Sequence, residues 1–329
     1  MGLPKDPKLL TLLNEAVARE LAVSIQYSIQ HTKMEKILKR VIPQNILFTP
    51  ENMTTYDVIG KLLKNFSIEE MKHAGAIMER IYLLGGEATT KSKVPEIGNT
   101  LKEFMQLGLK AEDEALVLYR DIIKTAANIG DRTTQELFKK IYKDEEQHYL
   151  KFEELMDFDD QEVDQPEAPE AEWQKILTDD YYDLLNKAVA IEISAIIQYT
   201  NQHEKAAKLG YRKRNNPLET IKDSNKAEVI SQVLKTIFLQ EMEHLEKIAE
   251  RIYLLDGEVT VLPDPLPNVG ENPEDWLVND RKAEDDTIIL YRKIIEESRK
   301  RGDYRTRRLF EDIIIEEDEH FYIFDDFFA

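Results

Sequence analysis

Four of the six histidines in this 329-residue chain stand three positions after a glutamate, as Glu70/His73, Glu145/His148, Glu241/His244 and Glu317/His320. Three residues of α-helix turn through about 300° and rise about 4.5 Å, so each pair projects from one face. A single such pair in an acidic protein reads as a surface ion pair. Two in each half of the chain, at matched places, read as ligands. Glu20 lies inside an apolar run over 16–25 and Glu192 inside one over 188–197, while Glu112 and Glu284 hold matched places later in each half. A lone carboxylate in such a run is costly unless it is paired or metal-bound. One Glu from each of two helices, with Glu-x-x-His from each of the other two, is the donor set of bundles that hold two iron or manganese ions. Glu20, Glu70, His73, Glu112, Glu145 and His148 fill its six places, and Glu192, Glu241, His244, Glu284, Glu317 and His320 fill them again. Four carboxylates and two imidazoles favour iron or manganese over copper(I), and their four negative charges offset two divalent ions. The competing reading is a polar seam of buried ion pairs without metal.

The elements that must position these residues repeat. Leu12-Leu13-Asn14, Ala16-Val17-Ala18, Glu20 and Gln26-Tyr27 recur as Leu184-Leu185-Asn186, Ala188-Val189-Ala190, Glu192 and Gln198-Tyr199. Glu79-Arg80-Ile81-Tyr82-Leu83-Leu84 recurs as Glu250-Arg251-Ile252-Tyr253-Leu254-Leu255, and Lys110-Ala111-Glu112-Asp113 as Lys282-Ala283-Glu284-Asp285. Such self-similarity means that both halves fold alike. Apolar periodicity predicts helices near 7–40, 54–85, 98–128 and 131–157, then 179–208, 224–255, 274–300 and 303–325. Gly85-Gly86, Gly130-Asp131, Asp256-Gly257 and Gly302-Asp303 mark breaks between them. The expected fold class is all-α, two tandem four-helix bundles over 1–158 and 172–329, joined by an acidic, proline-bearing linker over 159–171.

Composition narrows the function. A formal charge of −20 disfavours nucleic acid, whose phosphates an acidic surface repels, and concentrates cations such as Fe(II). The absence of cysteine excludes disulfides, thiolate zinc sites and iron–sulfur clusters. The N-terminus lacks the apolar core of a signal peptide and no stretch approaches a membrane span, so a cytoplasmic protein is expected, with no membrane partner.

Glu70-Met71-Lys72-His73-Ala74 with Glu79 through Gly86, Glu20 with Gln26-Tyr27, and Asp144-Glu145-Glu146-Gln147-His148 together resemble bacterioferritin, within the ferritin-like di-iron superfamily. The likeness covers most of each half, so it implies a tandem duplication of the ferritin-like bundle. It implies ferroxidase activity, Fe(II) going to Fe(III) with dioxygen or hydrogen peroxide at a di-iron centre in each half, in iron homeostasis or oxidative-stress defence. The twelve residues above would be the iron ligands, with Glu70, Glu145, Glu241 and Glu317 as the bridging carboxylates. Met71 and Met242 each follow a ligand glutamate where bacterioferritin carries its haem-ligating methionine; with the halves packed as an intramolecular pseudo-dimer, the resemblance implies haem b between them, while the alternative is methionine filling the core. Rivals on the same ligands are a rubrerythrin-like peroxidase, a manganese catalase and an iron-buffering protein with little turnover. Two departures stand out: longer segments join the first and second helices of each half, around 41–53 and 210–223, and no fifth helix follows His320. The 24-subunit storage shell is therefore not expected, though a smaller homo-oligomer is open.

Other residues share the ligand stripe. Tyr27 and Tyr199 lie seven positions after Glu20 and Glu192, about 700° of helix and so nearly the same face. They are candidates to hydrogen-bond a ligand carboxylate or to give up an electron, and Tyr119 and Tyr291 stand likewise after Glu112 and Glu284. His31 and His203 lie three turns beyond the helix-1 glutamates, too far to be ligands, and read as core histidines or a transit point for iron. The aromatic ending from Phe321 to Phe328 is expected to pack against the other half or another subunit.

Overall fold

A computed structural model describes residues 6–41, 55–156, 178–214 and 221–326. Eight helices run in the order α1 (Pro7–Val41), α2 (Thr55–Leu83), α3 (Leu101–Asn128), α4 (Arg132–Met156), α5 (Asp179–Arg214), α6 (Ile221–Leu254), α7 (Pro273–Arg301) and α8 (Tyr304–Asp326). No strand occurs among the described residues. The chain divides into two compact units, 1–31 with 47–165 and 32–46 with 166–329. The linker expected over 159–171 and the aromatic pair Phe327-Phe328 lie outside the described residues.

In the first unit, the buried stripe of α3 runs Phe104, Met105, Gly108, Glu112, Ala115, Tyr119, Ile122, and that of α4 runs Phe138, Ile141, Glu145, His148, Phe152. This 3–4 spacing marks the core face of a helix, and the ligand candidates occupy it in place of apolar residues. Thr100 opens α3 with a capping box, its hydroxyl accepting from the Glu103 amide while the Glu103 carboxylate accepts from the Thr100 amide. The breaks foreseen at Gly85, Gly130 and Gly302 have φ of 77°, 76° and 72°, the left-handed conformation that ends a helix. At the fourth break a non-glycine takes that role, Asp256 with φ 64°.

Two devices set the helix register. Arg80 on α2 donates to the Asp131 carboxylate at 2.7 Å and to the Thr134 hydroxyl at 2.7 Å, where Asp131 caps α4 by accepting from the Thr134 amide. Arg251, Asp303 and Thr306 repeat this lock between α6 and α8. The long connection after α2 then runs back along α1: the Lys93 amide donates to the Ala18 carbonyl, Asn14 holds the Glu87 carbonyl and the Thr89 amide, and Gln30 holds the Ile97 carbonyl. Asn186 and Gln202 hold the connection after α6 in the same way, at Glu258, Thr260 and Val269. One long crossover between two helix hairpins is the ferritin-type connectivity.

The aromatic ending behaves differently from expectation in its described part. Phe324 is buried against Tyr199 of its own unit, with ring centroids 5.7 Å apart, whereas Tyr322 is exposed. Position 324 falls on the α8 core stripe and position 322 does not, so helix periodicity outranks aromatic clustering here.

Gly108 lets α3 approach α4 closely, since a Cβ there would stand 2.7 Å from the Phe152 ring. Gly108→Val is expected to lose about 1–3 kcal/mol of stability through overpacking, measured by urea unfolding of the full chain.

Candidate metal centres

The helices bring the twelve predicted ligands together in two places, one per unit. In the first, Glu20, Glu70, His73 and Glu145 each offer a donor atom, all within 4.8 Å of one another, and so do Glu70, Glu112, Glu145 and His148. In the second, the groups are Glu192, Glu241, His244, Glu317 and Glu241, Glu284, Glu317, His320. Each unit thus has two overlapping groups that share two glutamates, those preceding the histidines by three. The eight glutamates are all buried.

The imidazoles turn Nδ1 inward. His73 Nδ1 is 3.1 Å from Glu145, His148 Nδ1 3.0 Å from Glu70, His244 Nδ1 2.9 Å from Glu317 and His320 Nδ1 3.1 Å from Glu241. The Nε2 atoms point out to a second ring of acceptors: Asp144 at 3.5 Å, Glu69 at 2.8 Å, Glu316 at 3.1 Å and Gln240 at 3.2 Å. Outer acceptors of this kind fix ring orientation and make Nδ1 a better metal donor. Each stands one residue before a ligand glutamate, a signal present in the sequence as Glu69-Glu70, Asp144-Glu145, Gln240-Glu241 and Glu316-Glu317.

The tyrosines lace helices together through the glutamates. Tyr27 on α1 donates to Glu112 on α3, and Tyr119 on α3 donates back to Glu20 on α1. Tyr199 donates to Glu284 at 2.5 Å, and Tyr291 to Glu192. Hydrogen bonds from these tyrosines to candidate ligand glutamates are therefore present in both units. His203 is held by the Ser231 carbonyl at 2.6 Å and His31 is buried, and neither belongs to a donor group. Met71 and Met242 are buried beside Glu70 and Glu241 on α2 and α6.

The electrostatics show how much positive charge these clusters demand. Burial, then repulsion from Glu145 and Glu70, pushes Glu112 above the usual carboxylate range; Glu192 and Glu284 are raised by the same causes. Burial opposes charge on His73 and His320, yet the negative glutamate carboxylates close to them dominate and lift them to about 10 and about 11. Several inward atoms nonetheless meet no hydrogen-bond geometry: Glu20 Oε2, His73 Nδ1 and both Glu145 oxygens in the first unit, Glu241 Oε1, Glu317 Oε1 and His320 Nδ1 in the second. Buried polar atoms rarely stay unpaired. Donors converging on a point between them, rather than on each other, fit a metal ion. On the first unit a cavity of about 540 Å³ opens between α2 and α4, with His73 and His148 at its wall beside Glu69 and Asp144.

Two buried groups escaped sequence reading. Arg19 reaches into the first cluster, its Nη2 2.7 Å from Glu112 and its Nη1 3.3 Å from Glu70. In part, the polar seam of ion pairs is realised there. The repeat holds the only sequence signal, Ile191 standing where Arg19 does. Asp280, one turn before Glu284, accepts from Gln198 and Gln202 at 2.8 Å each, and stands where the first half has Gly108.

A model of the ferritin-like domain matches residues 52–160 and again 182–329. The chain belongs to the ferritin-like family. As a ferritin-like protein it also has bacterioferritins among its relatives. That of Desulfovibrio desulfuricans is 34% identical over 138 residues, 42% of this chain and 68% of its own. That of Mycolicibacterium paratuberculosis is 35% identical over 156 residues, 46% of this chain and 87% of its own. Among solved structures, Rhodobacter capsulatus bacterioferritin, described with a metal-free dinuclear site and haem iron, is 28% identical, with 46% of this chain and 84% of that one covered at a TM-score of 0.39. The double match of the family model, with each of the two bacterioferritin sequences spanning a little under half of this ferritin-like chain, is consistent with a tandem duplication. No described helix is long and apolar enough to cross a membrane.

Asp280 gives the site a pH signature apart from its metal donors. Burial pushes it up to about 8, against the opposing hydrogen bonds from Gln202 and Gln198. At Asp280 the folded chain then keeps a proton that the unfolded chain releases above about pH 4, so this residue's contribution to stability falls as pH rises from about 4 to about 8 and levels off beyond. Asp280→Asn should remove this slope, up to on the order of 1.4 kcal/mol per pH unit; urea unfolding of both proteins at pH 5 and pH 8 measures it.

Proposed function

We propose that this chain is a ferroxidase, oxidising Fe(II) to Fe(III) with dioxygen or hydrogen peroxide at carboxylate–histidine centres inside its bundles. The observation that carries this reading is the pair of overlapping donor groups that share two buried glutamates. The similarity to bacterioferritins supports iron as the metal; manganese suits the same donors.

Iron is substrate here. Two Fe(II) ions release one electron each; dioxygen with two protons leaves as hydrogen peroxide, or hydrogen peroxide with two protons leaves as two waters. The protein's part is to hold and balance. Glu70 with Glu145, and Glu241 with Glu317, belong to both donor groups of their cluster and would touch every ion held there. The other glutamates and the histidines would each hold one. Tyr27 and Tyr199 keep Glu112 and Glu284 aimed inward, and the outer acceptors hold Nδ1 of each imidazole toward the metal position. Carboxylates suit this task because they can take up the charge that each ion gains on oxidation by changing how they bind.

Glu20→Ala combined with Glu192→Ala should cut the rate of Fe(II) oxidation by more than about 100-fold, beyond the 10–100-fold typical of losing an outer partner. Anaerobic Fe(II) loading followed by stopped-flow mixing with oxygen or peroxide measures it; retained activity would refute the ligand set. Haem ligation by Met71 and Met242 is a separate proposal, checked by a haem absorbance band that Met71→Ala removes.

A further inference from the structure

Arg19 sets the two units apart. Its side chain is 4% exposed, and its Nη1 lies 3.2 Å from Glu20 Oε2, 3.3 Å from Glu70 Oε2 and 3.7 Å from Glu145 Oε1. Those same three oxygens surround His73 Nδ1 at 4.0, 3.8 and 3.1 Å. The guanidinium nitrogen therefore shares the oxygens that a metal on the His73 side would use. It is tied in place as well, with Nη2 donating to the Ala111 carbonyl at 3.0 Å and to Glu112 at 2.7 Å. In the second unit the corresponding residue is Ile191, and among the described ion pairs Glu192, Glu241 and Glu317 meet only His244 and His320, while Glu284 accepts from Tyr199.

We propose that Arg19 takes the place of one metal ion in the first unit, so that this unit holds a single divalent ion on its Glu112/His148 side while the second unit holds two. This rests on the metal-binding reading above and deepens it. A guanidinium is always charged and its planar fork suits carboxylates. A dication beside it would meet like charge in a buried, weakly screened site and would have to displace its hydrogen bonds. The Glu112/His148 side is less blocked: the oxygens facing His148 Nδ1 are Glu70 Oε1, Glu112 Oε1 and Glu145 Oε2, whereas Arg19 contacts the other oxygen of each carboxylate. A centre with one Fe(II) supplies one electron, whereas reduction of dioxygen to peroxide takes two. Paired oxidation thus belongs to the second unit, and the first acts as a one-ion holding site.

Cobalt(II) binding to the full chain, counted by elemental analysis after desalting, tests this. The chain should hold three ions, Arg19→Ile four, and Ile191→Arg two. Stopped-flow should show two Fe(II) per chain oxidised in the fast phase, rising to four in Arg19→Ile. Should Arg19→Ile fail to fold, the wild-type count and the loss in Ile191→Arg still decide. Four ions in the wild type, or an unchanged count in Ile191→Arg, would overturn the assignment. Cobalt counts of three and two with no Fe(II) oxidation would instead leave Arg19 in its role and overturn the ferroxidase reading. No cobalt bound at all would overturn both.

Discussion

Four carboxylates inside one helical bundle repel each other, and burial deprives them of the water that would screen them. Everything else around each cluster can be understood as a response to that constraint. Protonation of the imidazoles is one response, seen in His148 lifted to about 12 by Glu145 and Glu70 against its burial. Tyrosine hydroxyls are another, each placing a donor against a glutamate. Bound metal is the response that would satisfy the remaining inward atoms together, since one ion accepts from several donors at once.

The fold serves that constraint by crossing its supports. Helices α1 and α3 exchange tyrosine–glutamate hydrogen bonds in both directions, so neither ligand can shift without loosening the other helix. Arginine–aspartate–threonine locks fix α2 to the start of α4, and α6 to the start of α8, which sets the register of the Glu-x-x-His pairs. The long crossover lies along the first helix of each unit and is held by asparagine and glutamine side chains. The ligands thus sit on rigid elements, and the flexible chemistry is left to the carboxylate torsions.

Much of this was legible in the sequence because metal ligation restricts residue type and spacing together. The i, i+3 pairing, the apolar setting of Glu20 and Glu192 and the repeat picked out the twelve residues that the helices bring together, and the helix ends agree within a few residues except at α5, which continues to Arg214. Arg19 was not legible. One residue before Glu20 it is rotated by about 100° from the ligand face, where an arginine normally reads as solvent-facing; only the length of its side chain lets it fold back into the core. Asp280 hid for a related reason, since its counterpart Gly108 packs directly against Phe152 and gives the repeat no polar signal there. Departures between otherwise matched halves carried the information that periodicity could not.

Anomalous diffraction from crystals of the full chain soaked in Fe(II) without oxygen addresses the central claim most directly. The account predicts two peaks in the second unit, about 3.5–4 Å apart, both within bonding distance of Glu241 and Glu317. A single peak there, or iron confined to surface carboxylates, would contradict it.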